Sequence, residues 1–178
     1  MIPDEDGCLA LHAKYHSGER VIAHCRTVAR ASVTLANAFT ARGETIDRKA
    51  VLAGALLHDI GRSRTQTVDH GHVGAKILED EGVDGMVVEI VRRHVGAGIS
   101  PEEASSLGFP PGDYIPRTLE QRVVCFADKM VSGDGVRPFD EEVNRFVRKG
   151  HDVERLRRLK SGLEEELGEN PEKTVLME

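Results

Sequence analysis

From Glu19 to Thr40 the apolar positions return every three or four residues, with Val21, His24, Val28, Ala31 and Leu35 on one face. That spacing predicts a long amphipathic helix with one buried side. Arg42-Gly43 ends it, with Gly43 as the C-terminal cap. The following stretch, Arg48 to His58 or Asp59, is apolar nearly all round. It predicts a central, buried helix opened by Asp47 as N-cap. Further helices are predicted over His70–Glu81, capped by Asp69 and stopped at Gly82, and over Gly85–His94, capped by Asp84. Thr118–Val131, Glu141–Arg148 and Asp152–Leu167 complete the series.

Between these elements the pattern breaks. Residues 1–8 read as loose, Leu9–Tyr15 as a short helix, Arg62–Val68 as a loop and the last residues as frayed. Val95–Arg117 is rich in glycine and proline and reads as a long functional loop, a lid over a site. Within it, Ser100-Pro101-Glu102-Glu103 has the form of a helix start, with serine at the cap, proline first and glutamate third. In the last long helix Leu156, Leu159, Leu163 and Leu167 form a stripe, either packed on the domain or forming the seam of a homodimer. No stretch carries the two-residue alternation of a convincing strand. The predicted fold class is all-α, a compact single-domain helical bundle.

Composition narrows the reading. A chain of 178 residues with 39% hydrophobic and 30% charged residues suits one soluble globular domain. Aromatics are 4% and tryptophan is absent, so alanine, valine, leucine and isoleucine must build the core. A net charge of -6 argues against bulk nucleic-acid binding, though not against a local anion site. Cys8, Cys25 and Cys125 form no Cys-x-x-Cys pair and read as buried reduced thiols. No leader and no membrane-spanning run is evident, which makes the cytoplasm the expected location.

The chemistry gathers at His58-Asp59. A carboxylate beside an imidazole at the end of an apolar run is costly to bury unless a metal or a tight partner compensates both. His24, His70, His94 and Asp128 each lie on the apolar side of their own helix as well. Four histidines and two aspartates on five helical segments satisfy one another if they surround a shared metal centre. His72 shares a face with Lys76 and Glu79 and is rejected in favour of His70. His12, His16 and His151 read as surface residues without a role. A set of four imidazoles and two carboxylates suits two divalent transition metals (iron, manganese, cobalt, nickel or zinc) better than magnesium or a structural zinc. Two ions bridged by Asp59 fit six ligands.

The ordered set His24, His58-Asp59, His70, His94, Asp128 resembles the HD superfamily of metal-dependent phosphohydrolases. His58-Asp59-Ile60-Gly61 resembles its HDIG variant, and His70-Gly71-His72-Val73-Gly74-Ala75 its H-x-x-x-G-A step. The resemblance covers about Arg20 to Val131, the core of the domain, with C-terminal helices over 140–168 packed on it. The whole chain also resembles a small stand-alone archaeal-type HD family, including Arg92-Arg93-His94-Val95-Gly96-Ala97-Gly98-Ile99. The Gly-Tyr-Pro signature and paired histidine of cyclic-di-nucleotide phosphodiesterases are missing.

The resemblance implies one metal on His24, His58, Asp59 and Asp128, and His70 and His94 as the extra ligands of two-metal members. It implies hydrolysis of a phosphoester or phosphoanhydride in a small nucleotide-like substrate by a metal-bridging hydroxide. Arg62 and Lys129 are the candidates to assist Asp59 in catalysis and to bind the phosphate, with Arg64, Arg93 and Arg137 behind them. Two other readings stand beside it: a non-catalytic metal-containing binding or signalling module, and a di-iron oxygenase on the same ligands.

Overall fold

The computed structural model describes residues 1–177. The chain folds as helices α1 (Glu5–Lys14), α2 (Glu19–Ala41), α3 (Arg48–Leu57), α4 (His70–Asp80), α5 (Gly85–Arg93), α6 (Pro101–Ser106) and α7 (Leu119–Lys129). A two-stranded hairpin of β1 (Val131–Ser132) and β2 (Gly135–Val136) follows, then α8 (Phe139–Arg148), α9 (Glu154–Leu167) and α10 (Pro171–Leu176). The fold is all-α, as the periodicity predicts, and no described helix is long and apolar enough to cross a membrane.

The apolar helix α3 is the centre, packed by α1, α2, α5 and α7. Asp47 accepts from the backbone amides of Lys49 and Ala50 and so opens it. Its Gly54 lets α5 come close, since a Cβ there would lie 2.6 Å from Ile90 Cγ2. After Leu57 the chain tightens into a 3-10 turn, Ile60–Ser63, which packs on α4. That approach requires Gly61: a Cβ there would stand 2.0 Å from the carbonyl oxygen of His70. The glycine therefore sets the distance between the His-Asp pair and His70.

Several expectations are corrected. Residues 1–8 are not loose. Asp4 caps α1 by accepting from Gly7 N, and the Asp84 amide donates to the Met1 carbonyl. His12 is not at the surface: α1 docks on α3 and buries it, with Nε2 2.8 Å from the Leu56 carbonyl and Nδ1 2.8 Å from Ser17 Oγ. The helix predicted through Val131 stops at Lys129, and Val131-Ser132 pairs antiparallel with Gly135-Val136. Pro171–Leu176, in the stretch expected to be frayed, form α10, capped by Asn170 and anchored by the buried Val175. Asp69 does sit at the N-cap of α4, but its carboxylate accepts from the hydroxyls of Thr65 and Thr67 rather than from a helix amide.

The leucine stripe of α9 is buried within the chain's own core, so it offers no dimer seam. The glycine- and proline-rich segment has a small core of its own, Ile99, Ala104 and Tyr114 with Val95 and Phe109 against them. Ser100 and Glu103 close the predicted capping box of α6.

Candidate metal centre

Six side chains from five segments meet at one end of α3. His24 comes from α2, His58 and Asp59 from the end of α3, His70 from the start of α4, His94 from the end of α5 and Asp128 from the last turn of α7. His58, Asp59, His70 and His94 are buried, while His24 and Asp128 are partly open to a cavity. The ring centroids of His24 and His58 lie 5.2 Å apart, those of His58 and His94 4.8 Å, and those of His70 and His94 5.0 Å.

Each imidazole is oriented in the same way. Nδ1 of His58 is 2.8 Å from Ala55 O, of His70 2.8 Å from Thr67 O, of His94 2.7 Å from Val91 O, and of His24 2.9 Å from Gly133 O. A carbonyl oxygen can only accept, so Nδ1 donates in every case. The neutral ring then keeps its lone pair on Nε2, the orientation that metal-ligating histidines adopt. Three of these carbonyls lie three residues back in the same turn. The fourth is at the tip of the hairpin, which gives the unexpected strands a purpose: they hold His24.

The Nε2 atoms converge on the two carboxylates. Asp128 Oδ1 is 3.0 Å from His24 Nε2 and 3.4 Å from His58 Nε2. Asp59 Oδ1 is 3.2 Å from His70 Nε2 and 3.5 Å from His94 Nε2, and its Oδ2 is 3.8 Å from His58 Nε2. The cluster thus has two ends, one around Asp128 and one around Asp59, with His58 and Asp59 between them. His24, His58 and Asp59 form one compact donor group, His58, His94 and Asp128 a second, and Asp59, His70 and His94 a third.

The protein alone does not satisfy this arrangement. His58 Nε2 and Asp59 Oδ1 are buried without a hydrogen-bond partner among the described residues. His70 Nε2 and His94 Nε2 stand 3.1 Å apart. With both Nδ1 protons on carbonyls, these are two lone pairs facing each other. Buried polar atoms without partners are rare and expensive. A divalent cation would answer the orphaned atoms and the opposed lone pairs together, so the residues present fit a metal.

Charge is arranged accordingly. Burial disfavours the Asp59 and Asp128 carboxylates, yet His58 and His94 around Asp59, and Lys129, His24 and His58 around Asp128, hold both well below the usual range. Burial opposes the His58 imidazolium too, but Cys25, Asp59 and Asp128 raise it well above the ordinary value. His70 is pushed down to about 3 by burial and by His94.

Arg62, three residues after Asp59, donates through Nε to Asp59 Oδ2 at 2.8 Å and brings Nη2 within 3.3 Å of His70 Nε2. Lys129 is turned inward rather than towards solvent. Its Nζ is paired with Asp128 and lies 3.2 Å from the His94 carbonyl. His72 stays outside the cluster, 6.3 Å from the Phe109 ring and 6.2 Å from Tyr114. His16 and His151 are exposed.

A cavity of about 340 Å³ opens over the cluster. Of the long glycine-rich segment, Val95 and Gly96 line it; the far wall is Glu142, Arg145 and Phe146 of α8. Sequence reasoning missed these three. Their signal was positional, because 142, 145 and 146 share a helix face, but nothing in the sequence tells where α8 docks.

The HD domain family model matches residues 21–132. The chain is 41% identical over 172 residues to a tRNA (cytidine(56)-2'-O)-methyltransferase of Thermoplasma volcanium, covering 96% of this chain and 49% of that protein. It is 40% identical over 153 residues to a protein of the same description from Picrophilus torridus, covering 85% of this chain and 43% of that one. The chain therefore spans about half the length, or less, of these two relatives. An uncharacterized protein of Methanocaldococcus jannaschii is 44% identical over 131 residues, 74% of this chain and 78% of its own length. Among solved structures, the HD domain of the Listeria monocytogenes phosphodiesterase PgpH has the same fold, with a TM-score of 0.61 at 14% identity over 96% of this chain and 95% of that one. With the family model matching across the segment that carries all six clustered residues, the chain belongs to the HD-domain family.

Proposed function

We propose that the protein is a metal-dependent phosphohydrolase that cleaves a phosphoester or phosphoanhydride bond of a nucleotide-like substrate. The observation that carries this reading is the common orientation of the four imidazoles, each Nδ1 spent on a carbonyl and each Nε2 turned to the two carboxylates. His24, His58, Asp59 and Asp128 would hold one divalent ion, and Asp59, His70 and His94 a second. When bound, such ions bring the pKa of water towards neutrality and stabilise negative charge on phosphoryl oxygens.

The chain's own groups do the rest. Asp59 joins the two ends. Arg62, held on Asp59 at the edge of the cavity, offers its guanidinium to a phosphoryl oxygen. Lys129 keeps Asp128 ionised and in place, a supporting part rather than the phosphate contact its position in the sequence suggested.

A second reading concerns the substrate alone. Two relatives are described as tRNA methyltransferases, so under it the phosphoester belongs to an RNA. The net charge of -6 gives such a polymer little general attraction.

The test is a panel. Protein purified without chelator is analysed for metal per chain, then assayed for phosphate release from nucleotides and an aryl phosphate and for hydrolysis products of dinucleoside polyphosphates, cyclic nucleotides and tRNA, with Asp59→Ala as control. Turnover lost in the variant supports the hydrolase. Metal without turnover on any substrate sinks it in favour of a binding module. Oxygen consumption by the iron-loaded protein with an organic substrate favours the oxygenase.

A further inference from the structure

The α8 helix begins seven residues beyond the family match, yet it supplies one wall of the cavity. Its core side explains why it is there. Phe139 is buried and stacks on Phe126 at 4.8 Å between centroids, and Val143 is buried one turn on. The cavity side needs another explanation. Glu142, Arg145 and Phe146 follow the i, i+3, i+4 spacing of one face, and all three line the cavity with the metal cluster. Phe146 is only partly buried.

Arg145 and Glu142 make an i, i+3 ion pair, with Arg145 Nε 2.7 Å from Glu142 Oε2 and Nη2 on the other oxygen. Such a pair with a half-exposed arginine contributes little to stability. It does fix the guanidinium: Nε and Nη2 are held, and Nη1 has no hydrogen-bond partner among the described residues. The other arginine and lysine lining the cavity are Arg62, held through Nε on Asp59, and Lys129, already engaged with Asp128. Arg145 is therefore the second guanidinium available to an anion, and it sits next to a partly open aromatic ring.

We infer that Arg145 and Phe146 are the substrate-recognition wall, Arg145 donating to a phosphate oxygen and Phe146 packing on the planar base of one nucleoside monophosphate unit. The inference rests on the phosphohydrolase reading and names the substrate class for the same site. A cavity of about 340 Å³ lies at the small end of ligand sites, which suits one nucleotide unit. A ring face gives stacking area to any base, and an arginine fork recognises phosphate, so together they select an aromatic phosphomonoester over an aliphatic one.

Binding decides it without relying on turnover. Calorimetry on the full chain as purified would use adenosine monophosphate, glycerol phosphate and inorganic phosphate as probes. Phe146→Leu keeps an apolar side chain and lowers affinity for the nucleotide about tenfold, leaving the other two within about twofold. Arg145→Ala weakens all three about tenfold, and Arg145→Lys recovers only part, because a point charge does not replace the fork. Where the wild type turns over, these losses fall on KM.

Unchanged nucleotide affinity in both variants, or equal losses for nucleotide and glycerol phosphate in Phe146→Leu, overturns the inference, as does a wild type that binds none of the probes. A wild type that hydrolyses nucleotides with KM unaltered by either substitution keeps the hydrolase and discards the wall. Nucleotide binding that depends on both residues, without turnover of any substrate, keeps the wall and discards the hydrolase.

Discussion

His58 shows how single residues carry the centre. Its Nδ1 is spent on Ala55 O, one turn back, and its Nε2 is buried without a hydrogen-bond partner among the described residues. Asp59 repeats the pattern with Oδ1. Substituting Asp59 removes the carboxylate that joins the two ends, so Asp59→Asn is expected to lower metal affinity more than about tenfold, beyond what losing an outer partner costs. Metal content after dialysis measures it; a full complement in the variant contradicts the assignment.

His12 gives the opposite prediction. Its ring bridges Ser17 and the Leu56 carbonyl beneath the centre without joining it. His12→Ala should cost about 1–3 kcal/mol in urea unfolding, the range for a buried carbonyl left unpaired, while metal content stays the same. The clustered residues were legible because His24, His58, His70, His94 and Asp128 each share a helix face with apolar neighbours and Asp59 directly follows His58. His12 was not: the short α1 carries little apolar periodicity, and its burial comes from docking on α3, which local sequence does not encode.

At the scale of elements, the caps were the most legible feature. Asp47, Asp84 and Ser100, each read as a cap, accept from the first-turn amides of their helices, and Thr118, read as the first helical residue, does the same. The hairpin escaped notice because strands of two residues are too short to show a period, and its turn depends on Gly133 at a φ of +64°. The α10 helix did leave a signal, Asn170 followed by Pro171 at the first position, but six residues are too few for a hydrophobic pattern.

At the site the Gly61 turn packs against α4 with no room for a side chain. Gly61→Ala would drive a methyl group into the His70 carbonyl, and backbone on both sides gives it nowhere to go. A loss of about 1–3 kcal/mol or more is expected, as for overpacking. Because the clash falls at His70, the end of the centre built on His70 and His94 should lose its ion first. Metal titration showing unequal loss of the two ions checks this, and an unaltered stoichiometry refutes it.

Over the whole molecule, the centre is a concentration of charge that the metal-free chain must balance with protons. Burial opposes the charged form of His58, but Cys25, Asp59 and Asp128 raise its pKa well above the ordinary value, which favours an imidazolium beside the two carboxylates. His70, pushed down to about 3, is already neutral. A raised histidine stabilises the metal-free fold fully below its unfolded value near 6.5, and that contribution is lost as pH rises through the folded value. A bound metal replaces the proton and does the opposite, binding more tightly as protons become scarce. The stabilisation by metal, about 2.7 kcal/mol at a hundredfold excess over Kd, should therefore grow with pH. Melting temperatures of chelated and manganese-loaded protein at pH 5.5, 7 and 8.5, a series spanning that value, are expected to diverge progressively. Calorimetric titration at pH 7 in buffers of different ionisation enthalpy should report net proton release on loading. A gap in Tm that is constant or shrinks with pH would mean that the cluster is neutral before metal arrives, and that Cys25, Asp59 and Asp128 do not hold a proton on His58.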